Sequence, residues 1–94
     1  MKNNFLINSG SSKNINPFDR GLSFGDGVFR TFLVRNRYPI NWDMHYEKLK
    51  VDAGILKIKT PTKKDLLHDI KKLFSVDKTY IGKVIITRGI SDQG

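Results

Sequence analysis

The chain has no cysteine among its 94 residues, and only three prolines. Without thiols there is no disulfide framework, no zinc–thiolate centre and no cysteine nucleophile. No apolar run approaches the roughly 20 residues that span a bilayer. Phe5-Leu6-Ile7-Asn8, behind Met1-Lys2-Asn3-Asn4, is too short for the apolar region of a signal peptide. The expectation is a cytoplasmic protein with no membrane partner. His45 and His68 stand far apart and form no metal-ligand pattern. There is no G-x-S-x-G, no Walker loop and no H-E-x-x-H, and Gly25-Asp26-Gly27 lacks the following glycine of the dinucleotide fingerprint.

Negative charge is scarce: 9 Asp and Glu stand against 17 Lys and Arg, a formal net charge of +8. Such a balance permits binding to nucleic acid, anionic membrane or phosphorylated small molecules. The placement of the charges argues for less. Lys63, Lys64, Lys71 and Lys72 gather on one predicted helix, and the rest are spread without a dense basic run. We read this as a solvated lysine-rich surface and expect no nucleic-acid partner. What remains, 38% hydrophobic and 28% charged, is ordinary globular composition in a length that allows one small domain.

The stretch Asp19-Arg20-Gly21-Leu22-Ser23-Phe24-Gly25-Asp26-Gly27-Val28-Phe29-Arg30-Thr31 organises the chain. Its first half reads as a tight irregular turn, because glycine admits positive φ and close approach of other groups. From Val28 to Val34 it becomes apolar and β-prone, which predicts a strand. Phe5-Leu6-Ile7 is a shorter strand candidate, followed by a polar stretch from Ser9 to Pro17 that reads as a loop or a weak edge strand. Asn36-Arg37 is the tip of a hairpin whose return strand, Tyr38-Pro39-Ile40, is short or on an edge, since Pro39 has no amide donor. Asp43 is expected to cap a helix from Met44 to Leu56, with His45, Leu49, Ala53 and Leu56 on one stripe and Trp42 at its mouth. Thr62 and Asp65 make a capping-box-like start to a helix over 62–74, whose apolar face is Leu66, Leu67, Ile70, Leu73 and Phe74. Tyr80 to Thr87 is the strongest strand, and Arg88 to Gly94 is loop.

The order β–β–β–α–α–β predicts an α+β fold, a largely antiparallel sheet with two helices packed on one face. The glycine-bearing loop after the best strand reads as a connection, so residues 1–94 are expected to be the first domain of a longer enzyme. His45 on its apolar stripe is expected to be semi-buried and structural, and His68 to lie on the surface. Composition and spacing stop at a basic α+β domain with a glycine-rich lip.

The residues themselves go further. Asp19 to Phe29 closely resembles the DRGL-aromatic-GDGVFE/T opening of the fold-type IV pyridoxal-phosphate enzymes, the class that holds aminodeoxychorismate lyase, branched-chain aminotransferase and D-amino-acid aminotransferase. His45-Tyr46-Glu47-Lys48-Leu49 is similar to their H-x-x-R-L helix, and Lys83 to Gly89 to their K-V-hydrophobic-T/S-R-G strand end. The three motifs stand in family order, and the pattern ending at Gly94 leans toward the lyase branch.

The resemblance implies the small N-terminal domain of the D-amino-acid aminotransferase-like fold, forming one wall of a cofactor cleft. Its partner is then a larger C-terminal domain, which carries the lysine that bonds the cofactor aldehyde. The family is typically homodimeric, acts on small molecules and uses pyridoxal 5′-phosphate. No catalytic residue is therefore expected within this chain, which alone is expected to be inactive and to hold no cofactor. The implied activity is pyruvate elimination from aminodeoxychorismate to give 4-aminobenzoate for folate synthesis. Amino-group transfer on the same scaffold and a non-catalytic remnant are the alternatives.

By position, Lys48 stands where the family has the arginine that holds the cofactor phosphate, or it is a plain surface lysine. Lysine offers a point charge where arginine offers a planar fork. Arg88 stands near where substrate carboxylates are bound, or is a solvent-facing charge. Phe24 and Phe29 wall the substrate pocket or belong to the core. Thr31 matches a threonine of the lyase branch or is a bland strand residue. Arg30 replaces glutamate or threonine, and Gln93 replaces an arginine of the lyase pattern.

Overall fold

A computed structural model describes residues 5–10 and 14–90. The Gln93 substitution lies outside the described residues. The elements run α1 (Arg20–Phe24), β1 (Gly27–Arg35), β2 (Tyr38–Pro39), α2 (Trp42–Ile55), α3 (Lys63–Leu73) and β3 (Tyr80–Thr87). The sheet order is β2-β1-β3, and both pairings are antiparallel. The α+β class and the two helices on one sheet face are as expected.

Alternation dictates the layering. Along β1, Phe32 and Val34 are buried while Phe29, Thr31 and Leu33 are exposed. β3 matches it, with Gly82 and Ile86 inside and Ile81, Lys83 and Ile85 outside. Successive side chains of a strand point to opposite faces, so one face carries the helices and the other lies open. Buried Phe32, Val34, Trp42, Tyr46 and Ile70 form one cluster, and Leu49, Ala53, Ile58 and Ile86 a second. Partly buried Leu66 and Val84 pack against both. Full burial of a side chain such as Leu49 contributes about 1.5–3 kcal/mol.

The hairpin tip follows its sequence. Asn36 and Arg37 both take positive φ, 53° and 67°, which matches the twist of the flanking strands. Pro39 is opposite Val34 on the outer strand, where its missing donor costs nothing. Thr62 caps α3 by accepting from the Asp65 amide at 3.1 Å.

Three expectations change. The glycine-rich turn contains a short helix, α1, held by its caps and burying nothing. The Asp19 carboxylate accepts from the Leu22 amide at 3.2 Å, and Gly25 closes the end at φ 65°. A helix without an apolar stripe leaves no periodicity to read. Phe5-Leu6-Ile7 is not a sheet strand: the backbone of Ile7 pairs with Gly10 across positive-φ Asn8 and Ser9. Helix α2 starts earlier, at Trp42 behind left-handed Asn41, and Asp43 forms an ion pair with Lys63 instead of capping. It also ends earlier. Lys57 takes φ 59°, its amide donates to Gly54 O and the Ile58 amide to Ala53 O, a Schellman closure. That closure puts Leu56 outside the stripe and Ile58 into the core. The buried face is therefore Trp42, Tyr46, Leu49 and Ala53.

Candidate functional site

The glycine-rich lip is stitched to the end of β3. Asp26 lies at its centre. Arg20 Nε donates to Asp26 Oδ2 at 2.9 Å. Arg88 donates twice to the same carboxylate, Nε to Oδ2 at 2.5 Å and Nη2 to Oδ1 at 3.2 Å. Arg88 Nη2 also reaches the carbonyl of Leu56 at 2.5 Å, tying the end of α2 to the lip. The backbone repeats the connection: Arg88 N donates to Asp26 O and Arg20 N to Gly89 O. A second carboxylate works beside the first. Thr87 Oγ1 donates to Asp19 Oδ1 at 2.6 Å while Asp19 Oδ2 caps α1. Gly21 sits where α1 crosses Thr87, and a Cβ there would come within 2.2 Å of Thr87 Cγ2. The hydrogen bonds from Arg88 and then Arg20 hold the Asp26 carboxyl below its ordinary value of 3.8.

The open sheet face adjoins this lip. Antiparallel register sets Phe29 opposite Ile85, Thr31 opposite Lys83 and Leu33 opposite Ile81. All six are exposed, Ile81 by 74% and Phe29 by 61%. The Lys83 ammonium lies 4.7 Å from the Phe29 ring centroid. The result is an apolar wall with one hydroxyl and one cation at its middle. Among the described residues, β2 accompanies β1 only at Val34 and Arg35, so the Gly27 end of β1 has a bare edge.

A third group lies on the helix side of β1. Half-buried Arg30 directs Nε (3.2 Å) and Nη2 (2.8 Å) at Nδ1 of His45 on α2. The His45 ring also packs on Phe32, with centroids 5.5 Å apart. Burial first, and the Arg30 charge second, push the imidazole below its ordinary value of 6.5. Lys48, one turn further along α2, is ion-paired with Asp52 at 3.2 Å.

The sequence-derived residues therefore fall in different places. Phe29 and Thr31 share the open face. Phe24 is exposed at the end of α1 with the Arg20 guanidinium 4.7 Å from its ring centroid. Lys48 is on the helix side of the sheet. Arg88 is in the lip, with Nε and Nη2 given to Asp26 and Leu56. His45 is semi-buried and His68 exposed, as read from the pattern. Sequence reasoning missed Asp26 as the junction of two arginines, Asp19 as both cap and acceptor for Thr87, and Lys83 on the wall. The capping role was legible in an aspartate three residues before Leu22. The Asp26–Arg88 pair, 62 residues apart in the chain, had no local signal.

Among the described residues no cluster of His, Cys, Asp or Glu could hold a metal ion, and no helix is long and apolar enough to cross a membrane.

No family model matches the chain. It is 34% identical over 85 residues to the aminodeoxychorismate lyase of Bacillus subtilis (strain 168), a match that takes in 85% of this chain and 29% of the relative. Its fold superposes on 4-amino-4-deoxychorismate lyase from Pseudomonas aeruginosa with a TM-score of 0.80 and 26% identity, covering 93% of this chain and 32% of that one. It also matches the fold IV transaminase CpuTA1 from Curtobacterium pusillum, with a TM-score of 0.69 and 25% identity over 87% of this chain and 31% of that one. The chain thus spans about a third of the length of the relatives it matches.

Proposed function

We propose that this chain, which belongs by sequence and fold with the fold-type IV lyases and transaminases, is the N-terminal domain of a 4-amino-4-deoxychorismate lyase. The observation that carries this reading is agreement of two kinds on one enzyme: 34% sequence identity to one such lyase, and a TM-score of 0.80 against that of a second organism. In this reading a C-terminal domain completes the site, the enzyme is a homodimer, and pyridoxal 5′-phosphate is its cofactor. When bound, that cofactor supplies an electron sink for bond cleavage next to an amino-bearing carbon.

The cleft runs along the bare edge of β1, where both sides of the sheet are within reach. On the open side Phe29 excludes water from the substrate ring, and the Thr31 hydroxyl is placed to hydrogen-bond near it. The cation on this wall is Lys83, held over the Phe29 face, where it can attract a substrate carboxylate. Arg88 acts one step back as a positioning residue, keeping the lip rigid through Asp26. Phe24, at the end of the lip, closes the substrate side. On the helix side Lys48 offers a cation to the cofactor phosphate. Water exclusion and fixed charge strengthen each of these contacts, because electrostatic attraction grows as the local dielectric falls.

The test is turnover by the full-length enzyme: 4-aminobenzoate and pyruvate released from aminodeoxychorismate. The second reading is amino-group transfer, favoured by the match to a fold IV transaminase. Glutamate-dependent transamination without 4-aminobenzoate would select it. If neither product forms, both readings fail.

A further inference from the structure

Arg30 is a half-buried guanidinium with no carboxylate paired to it among the described residues. Its hydrogen-bond partner is an imidazole. A partly desolvated cation is costly unless something compensates its charge. Both Arg30 contacts end on Nδ1 of His45, and an arginine only donates. His45 is therefore neutral with its proton on Nε2, which makes Nε2–H another donor. The downward shift of the imidazole agrees with this state. Lys48 is on the same side of α2, one turn from His45, and its exposed pair with Asp52 is of a weak kind that a stronger acceptor can displace. Guanidinium, imidazole N–H and ammonium make a set of donors in search of an anion.

We infer that Arg30, with His45 and Lys48, forms a phosphate-monoester site in which β1 supplies the guanidinium and α2 the imidazole and the ammonium. A guanidinium can grip two phosphate oxygens at once, and an ammonium at Lys48 alone cannot. This deepens the proposed function, since it rests on that reading for the ester being the cofactor's, but the site itself is argued from these three residues.

The test is binding, followed by NMR of the arginine Nε–H and histidine ring signals of the isotope-labelled protein. The probes are inorganic phosphate and pyridoxine 5′-phosphate, an ester without the aldehyde that would label surface lysines. Unphosphorylated pyridoxine and chloride at matched ionic strength are the controls. Both phosphates are expected to shift the Arg30 and His45 signals saturably, with weak, millimolar affinity, and the controls are not. Arg30→Gln is expected to weaken binding at least about tenfold. Arg30→Lys keeps the charge and the stem, so it is expected to fold and to bind several-fold more weakly. It serves as the decisive variant if Arg30→Gln does not fold. Equal shifts with chloride, or unchanged affinity in the Arg30 variant that folds, would overturn the inference. Binding of inorganic phosphate without the ester would overturn the ester assignment. Phosphate binding in an enzyme that releases no 4-aminobenzoate would count against the proposed function and leave this site standing.

Discussion

Asp26 accepts from Arg88 and Arg20, and its carboxyl therefore titrates below 3.8 in the folded chain. The unfolded chain takes up its proton first as pH falls. The stabilisation is complete above about 3.8 and is lost as pH drops through the lower folded value. Asp26→Asn is expected to flatten the acid limb of stability against pH, followed by circular dichroism. An unchanged acid limb would show that the lip does not depend on this carboxylate. His45 behaves with its own sign. Its folded value lies below 6.5, so the unfolded chain again binds more protons, and stability falls as pH drops from about 6.5 toward the folded value. His45→Gln is expected to remove that slope, read from urea midpoints across the same range. Steric fit is as local as charge. Gly21→Ala sets a methyl against Thr87 and is expected to cost about 1–3 kcal/mol in urea unfolding. Thr87→Ser, which removes Cγ2 but keeps the hydroxyl on Asp19, should recover part of that loss. The identities of these residues were plain in the sequence, but their pairing was not. Asp26 and Arg88 meet only because β3 returns beside β1.

Among the elements, α3 and β3 were the most legible, and α2 shows where reading a pattern stops. An apolar stripe identifies a helix, but where it ends depends on backbone geometry that no periodicity records. Lys57 holds the left-handed position of the Schellman closure, where a side chain is strained and glycine is not. Lys57→Gly is expected to stabilise the chain by up to about 1 kcal/mol, the αL strain relieved less the entropy glycine loses. The midpoint of urea or thermal unfolding checks it, and a decrease would mean that the lysine makes a compensating contact. Helix α1 is the opposite case. It has no buried residue, and it is held by its caps and by the hydrogen bonds of Arg20 to Asp26 and Gly89. A motif read as a turn can therefore contain a helix when side-chain and glycine caps replace packing.

For the molecule as a whole, the asymmetry of the sheet matters most. One face is sealed by α2 and α3, and the other presents Phe29, Leu33, Ile81 and Ile85 to solvent. An exposed sheet face this rich in apolar side chains marks a surface that another element covers. In the proposed enzyme this face borders the substrate cleft that the C-terminal domain would complete. The isolated chain is therefore expected to self-associate with rising concentration and to bind a hydrophobic dye. Ile81→Thr combined with Ile85→Thr keeps the β-branched shape suited to a strand and should reduce both effects in sedimentation and fluorescence. Equal association in the double variant would place the contact elsewhere.

By itself the sequence determined the α+β class, the three main strands, the two long helices with the Thr62 cap of the second, and the likeness to fold-type IV lyases. These rest on local period, turn chemistry and motif order, all written within a few residues of one another. Only the tertiary structure decided that Asp26 holds two arginines, that Arg88 faces the lip, and that Arg30 rests on a neutral His45. Each of those is a contact between segments remote in the chain. Long side chains choose partners from whatever charges the packed elements bring near, and that choice exists only once the strands are in register and the helices lie on their face.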